Sequence, residues 1–217
     1  MTAVAEMPKP RLRGRLHQIA FIVWIPAGIT LVALGRTALA RVASGIYAVS
    51  VLVLYGVSAS YHRLPWSPRA RRWMQRLDHS SIFILIAGSY TPLCLLALHD
   101  AWRVSILATV WGVAVIGILL KMMRIDKMDV VGMTLYLALG WTALVAMPEI
   151  VRGLRPAAIV LLFAGGLLYT VGAVLFSMHR PNPRPTVFGY HEVWHSMVIG
   201  GSLCHYVMVV LLALAAH

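Results

Sequence analysis

The side chains best suited to chemistry in this sequence stand at the ends of apolar runs: His62, Asp78, His191 and His195, with Ser58 one helical turn before His62. His191 and His195 are four residues apart, so on a helix their rings share a face about 5–6 Å apart and can bind one ion. A third ligand must come from another segment, and His62 ends its apolar run as His191 begins another. Three neutral imidazoles leave a tetrahedral zinc ion one exchangeable position, the arrangement that lowers the pKa of a coordinated water to about 7. Asp78 follows the basic stretch after His62 and can return beside it, to accept a hydrogen bond from that water or to act as base. Residues 191–195 also match the His-Glu-x-x-His metalloprotease pattern, in which the glutamate is the general base. After His195, however, only His205 and His217 are ionisable, so a protease has no suitable downstream ligand. His17, His99, His179 and His217 read as terminal or loop residues. His205 lies ten residues past His195, about 15 Å along a helix, and is expected to hydrogen-bond a neighbouring helix.

These residues need rigid elements to carry them, and composition names the elements. Of the 217 residues 60% are hydrophobic and 12% charged, a balance suited to lipid as the main solvent. A span takes roughly 20 mostly apolar residues. Seven such segments can be laid down, at about 17–35, 42–62, 77–98, 102–120, 130–147, 156–178 and 190–214. Their continuous runs lack the alternation of barrel strands, so the expected fold is an all-α membrane protein, a seven-transmembrane helix bundle. Fourteen Lys and Arg residues fall on one side and five on the other. By the positive-inside rule the N-terminus is cytoplasmic, the C-terminus is outside, and the histidine ends of the spans lie at the cytoplasmic face. The first apolar run is long enough to remain as an anchor. Residues 1–14 read as a disordered cytoplasmic N-terminus, 15–217 as a single transmembrane domain, and 63–76 and 179–189 as the longest loops. Cys94 and Cys204 lie inside spans, where small buried thiols are expected and a disulfide is not. The net charge of +12 belongs to these short loops and indicates topology, with no nucleic acid implied.

Three ordered motifs carry a resemblance. Ser58-Ala59-Ser60-Tyr61-His62, the stretch from Leu77-Asp78-His79 to Thr91-Pro92, and Gly189-Tyr190-His191-Glu192-Val193-Trp194-His195, followed by Gly201 to Tyr206, resemble the hemolysin III branch of the progestin and adipoQ receptor family. The resemblance covers about residues 50–214. It implies a seven-helix bundle with zinc near the inner leaflet, His62, His191 and His195 as metal ligands, and Asp78 and Ser58 as the catalytic pair. It leaves Glu192 without an assigned role. The first span, from Arg15, lacks the acidic and asparagine residues often seen in bacterial members. The resemblance, rather than the spacing, points to ceramide-like lipid amides or esters, so membrane lipids are the expected substrates of a zinc-dependent hydrolase. The alternatives are a receptor or membrane-homeostasis protein in which zinc is structural and, more remotely, a cytolytic activity. No soluble protein partner and no oligomeric state can be read from the residues.

Overall fold

A computed structural model describes residues 10–123 and 129–216. Residues 1–9, part of the expected disordered tail, lie outside that range, as do Arg124, Lys127 and His217 from the charge and histidine readings. The described residues form eight α-helices in chain order: α1 (Arg15–Ala33), α2 (Ala38–Arg63), α3 (Pro68–Ala97), α4 (Asp100–Met123), α5 (Asp129–Gly140), α6 (Met147–Gly153), α7 (Pro156–Ser177) and α8 (Tyr190–Ala215). Among them there is no strand, only an isolated bridge between Arg184 and Phe188.

Six helices are long and apolar enough to cross a membrane, and the bent pair Gly132–Leu144 and Met147–Gly153 gives a seventh when taken as one broken span. Outward-facing residues such as Ile22 and Ile29 of α1, Val115 and Ile116 of α4 and Val160 of α7 are exposed and apolar, as a lipid-facing surface requires. The chain is a multi-pass integral membrane protein.

Local signals explain most boundaries. Thr37 caps α2 by accepting from the Ala40 N–H at 3.1 Å, and Ser67 caps α3 with Pro68 in the first turn. The stretch 63–76, read as a loop from its charge, is therefore mostly helix. Charge marks where lipid ends, and a capped helix continues beyond it. The fifth span departs further from expectation. In place of one helix over 130–147, α5 gives way to a 3-10 turn at Trp141–Leu144 and to α6, bent by 53°. Tyr90 of α3 fills the break: its hydroxyl donates to the Gly140 carbonyl and accepts from the Ala143 N–H, both at 2.7 Å. Backbone groups freed at a break in lipid need such partners, which explains why the bend is tolerated.

Helix α8 packs against α1, α2, α3 and α7 and so takes an interior place. Its partners meet it through a polar hub at Ser202. The Tyr47 hydroxyl donates to the Ser202 carbonyl at 2.6 Å, and the Tyr55 hydroxyl bonds the Ser202 side chain. These bonds fix α2 against α8, the two helices that carry the three histidines.

Candidate metal centre

The last turn of α2 presents His62 and the first turns of α8 present His191 and His195. One ring nitrogen from each lies within 4.8 Å of the others. The His62 and His191 Nε2 atoms are 3.2 Å apart. Nitrogens bound at about 2.0–2.1 Å to a tetrahedral zinc stand about 3.3 Å from one another, so the His62–His191 pair already has that spacing and side-chain rotation would have to draw in the rest of the set, which spans up to 4.8 Å. The three histidines could hold one metal ion, as their sequence spacing suggested.

Asp78, from the third turn of α3, places Oδ2 3.9 Å from His62 Nε2. Ser58, buried one turn before His62, directs its hydroxyl toward the Asp78 carboxylate. Every residue expected to act at the site therefore faces one cavity of about 620 Å³, bordered at this end by Ser58, His62, Asp78, His191 and His195.

Three residues at the site were not foreseen. His17, read as a terminal residue, lies in the first turn of α1 and is buried. Its ring stacks on that of His195, with centroids 3.7 Å apart and planes 10° from parallel, and sits 5.0 Å from the Tyr55 ring. His195 Nδ1 is buried without a hydrogen-bond partner. His17 thus backs a ligand without joining the ligand set.

The second and third are Arg13 and Glu192. The Glu192 side chain is fully buried and accepts from Arg13 Nε at 2.6 Å, while its other oxygen accepts from the Gly189 N–H at 2.9 Å. The glutamate of the protease-like pattern is thus turned to a cap and an ion pair, away from a catalytic role. Residues 10–14, expected within the disordered tail, instead form a strap. The Arg11 and Leu12 N–H groups donate to the Thr186 and Val187 carbonyls at 3.0 and 3.1 Å. Gly14 has φ of 75°, and a Cβ there would stand 2.6 Å from the His62 Cβ. Only glycine meets both the left-handed backbone and that close approach. The sequence signal was present as Gly14 directly before the first helix, yet its meaning depends on His62 being beside it.

His205 packs against a neighbouring helix as expected, whereas of the two thiols expected to be buried only Cys94 is, Cys204 being partly exposed. His205 Nε2 lies 3.2 Å from the Leu162 carbonyl of α7, and Cys94 and Cys204 are free thiols.

The bundle and its histidine cluster define a class: a seven-span α-helical membrane protein with a candidate metal site at one end of an interior cavity. The haemolysin-III related family model matches residues 5–206. Hemolysin-3 of Bacillus cereus is 34% identical over 206 residues, 93% of this chain and 91% of the relative. The Hemolysin-3 homolog of Bacillus subtilis (strain 168) is 32% identical over 86% of this chain and 85% of its own length. The human monocyte to macrophage differentiation factor is 26% identical over 76% of this chain and 68% of its length. The chain belongs to the haemolysin-III related family, the hemolysin III branch of the progestin and adipoQ receptor proteins.

Proposed function

We propose that this protein is a zinc-dependent hydrolase of a lipid amide or ester, acting on a substrate whose acyl chain enters the interior cavity. The carrying observation is the placement of three mutually close histidine nitrogens and an aspartate on the wall of a chamber that continues along apolar residues such as Leu54, Ile82 and Ile86. Zinc held by His62, His191 and His195 would polarise the substrate carbonyl and acidify water. Asp78 takes the proton of the attacking water as its oxygen bonds the carbonyl carbon, then returns that proton to the departing amine or alkoxide as the carbon–heteroatom bond breaks. Ser58 keeps the carboxylate turned toward the cavity. His17, itself backed by Tyr55, stacks on the His195 ring and restricts its rotation.

Three protein ligands leave an exchangeable position, whereas a purely structural zinc normally has four. This supports catalysis over a staple between α2 and α8. Release of fatty acid from ceramide-like and glycerolipid substrates in detergent tests the reading. Asp78→Asn should retain zinc yet lose about 10²–10⁴-fold in rate, because an amide cannot accept the proton. Zinc-loaded Asp78→Asn turning over like the wild type would remove Asp78 from the chemistry.

A further inference from the structure

The side of α3 that borders the cavity changes character along its length. Arg71, Gln75, Asp78, Ile82, Leu85 and Ile86 all line the chamber, at spacings that share one helical face. From Ile82 to Ile86 that face is apolar, where the acyl chain of a substrate would lie. From Asp78 back to Arg71 it is polar and ends in a cation, over seven residues or about 10 Å of helix. A lipid placed with its carbonyl at Asp78 therefore directs its head group toward Gln75 and Arg71.

Arg71 is exposed at the mouth of the chamber. Its guanidinium carbon stands 5.3 Å from the centroid of the Tyr61 ring, and its side chain reaches the Tyr61 hydroxyl. The Tyr61 ring is 4.7 Å from that of His62, and the two spacings together keep the guanidinium within about 10 Å of the His62 ring. Arginine carries only donors, so the Tyr61 oxygen accepts from it and keeps its own O–H to donate. Tyr61 also lines the chamber. Arg13 on the strap is balanced by Glu192, whereas Arg71 meets no carboxylate at ion-pair distance among the described residues. The positive-inside rule accounts for arginines in this part of the chain. It does not require one to face the chamber, and Arg69, two residues earlier on α3, does not line it.

We propose that the lipid taken by this cavity carries a phosphate ester in its head group, with Arg71 and Tyr61 donating to the phosphate oxygens while the acyl chain runs along Ile82 and Ile86. This inference rests on the reading of the cavity as a lipid site and adds the class of head group. A phosphate pairs with a guanidinium through two parallel hydrogen bonds and has a further oxygen for a neighbouring donor. An uncharged head group would gain neither the charge nor the second acceptor.

The test compares 1-O-hexadecylglycerol with its 3-phosphate, ether lipids that offer a hydrolase no bond to cut, each displacing a fluorescent fatty acid from the full-length zinc-loaded protein in neutral detergent. The phosphate should bind about tenfold more tightly, the lower end of the gain from hydrogen bonds to a charged group. Arg71→Gln should bring the two lipids to nearly equal affinity while hexadecylglycerol binds as before, and Arg69→Gln should keep the preference. Glycerol 3-phosphate should not compete at the concentrations at which the lipid phosphate does. Equal affinity of the two lipids in the wild type would overturn the inference and leave the lipid cavity standing. A preference that survives Arg71→Gln, or that Arg69→Gln abolishes as fully, would overturn it in favour of the metal or of general surface charge. Competition by glycerol 3-phosphate as strong as by the lipid would assign the site to free phosphate esters instead. Displacement by neither lipid would remove the lipid-site reading itself, and this inference with it.

Discussion

Replacing Arg13 by Ala isolates the contribution of the N-terminal strap. Glu192 is fully buried and meets Arg13 at 2.6 Å, while the arginine side chain is 20% exposed. Removing one partner of a buried pair costs about 3–5 kcal/mol, because the other charge is left uncompensated. Partial access of water to this pair, and the Gly189 N–H that stays on the carboxylate, reduce the cost here to about 2–4 kcal/mol. At roughly 2–4 °C per kcal/mol for a chain of this size, the melting temperature of the detergent-solubilised protein should fall by roughly 5–15 °C. Adding Glu192→Gln to Arg13→Ala should restore part of the loss, because the amide oxygen still accepts from Gly189 and no buried charge remains. Glu192 lies between two ligands in the first turn of α8, so Arg13→Ala should also weaken zinc binding by about 10–100-fold, the usual range for groups that orient ligands. Zinc titration by competition with a chromophoric chelator measures this. Arg13→Ala with the wild-type melting temperature and zinc affinity would refute the strap as a support of the site.

Purified protein should carry about one zinc per chain by elemental analysis, and His191→Ala should remove most of it, since two ligands cannot complete the site; full zinc in the His191→Ala, His195→Ala double variant would end the ligand assignment. A reporter fused after His217 should be active outside the cell and silent inside, as the distribution of Lys and Arg requires, and the opposite result would invert the proposed orientation.

The candidate metal ligands were legible because each carries its own local signal. The i, i+4 histidine pair is a statement about one helix, and His62 and Asp78 were found because ionisable groups are scarce in apolar runs. What the chain does across space was less visible. His17 looked terminal because it stands at the very start of the first apolar segment, and only the packing of α1 against α2 and α8 brings its ring onto His195. Glu192 matched a protease pattern in sequence, and its true partner, Arg13, is 179 residues away. The bend in the fifth span escaped for a similar reason. Hydropathy reports that Gly132–Gly153 suits lipid, but the break is stabilised by a tyrosine hydroxyl from another helix.

That bend gives the two ends of the cavity different mechanical characters. The metal end is bordered by long continuous helices tied to one another by the strap and the Arg13–Glu192 pair. The other side is bordered by Gly140 and Trp141, where α5 stops and the chain turns. Gly140 would admit a Cβ without contact, so that wall has free space beside it. On the proposed reading, a hydrolase would need its metal ligands fixed to within fractions of an ångström, while a lipid substrate would have to enter sideways and leave as two products. A span held at its break by the Tyr90 hydroxyl and by the Trp141 indole N–H on Thr170 can shift by exchanging three hydrogen bonds, whereas the histidine end cannot shift without breaking the buried Arg13–Glu192 pair. Substrate passage is therefore expected beside α5, with Tyr90 as the residue that controls the break.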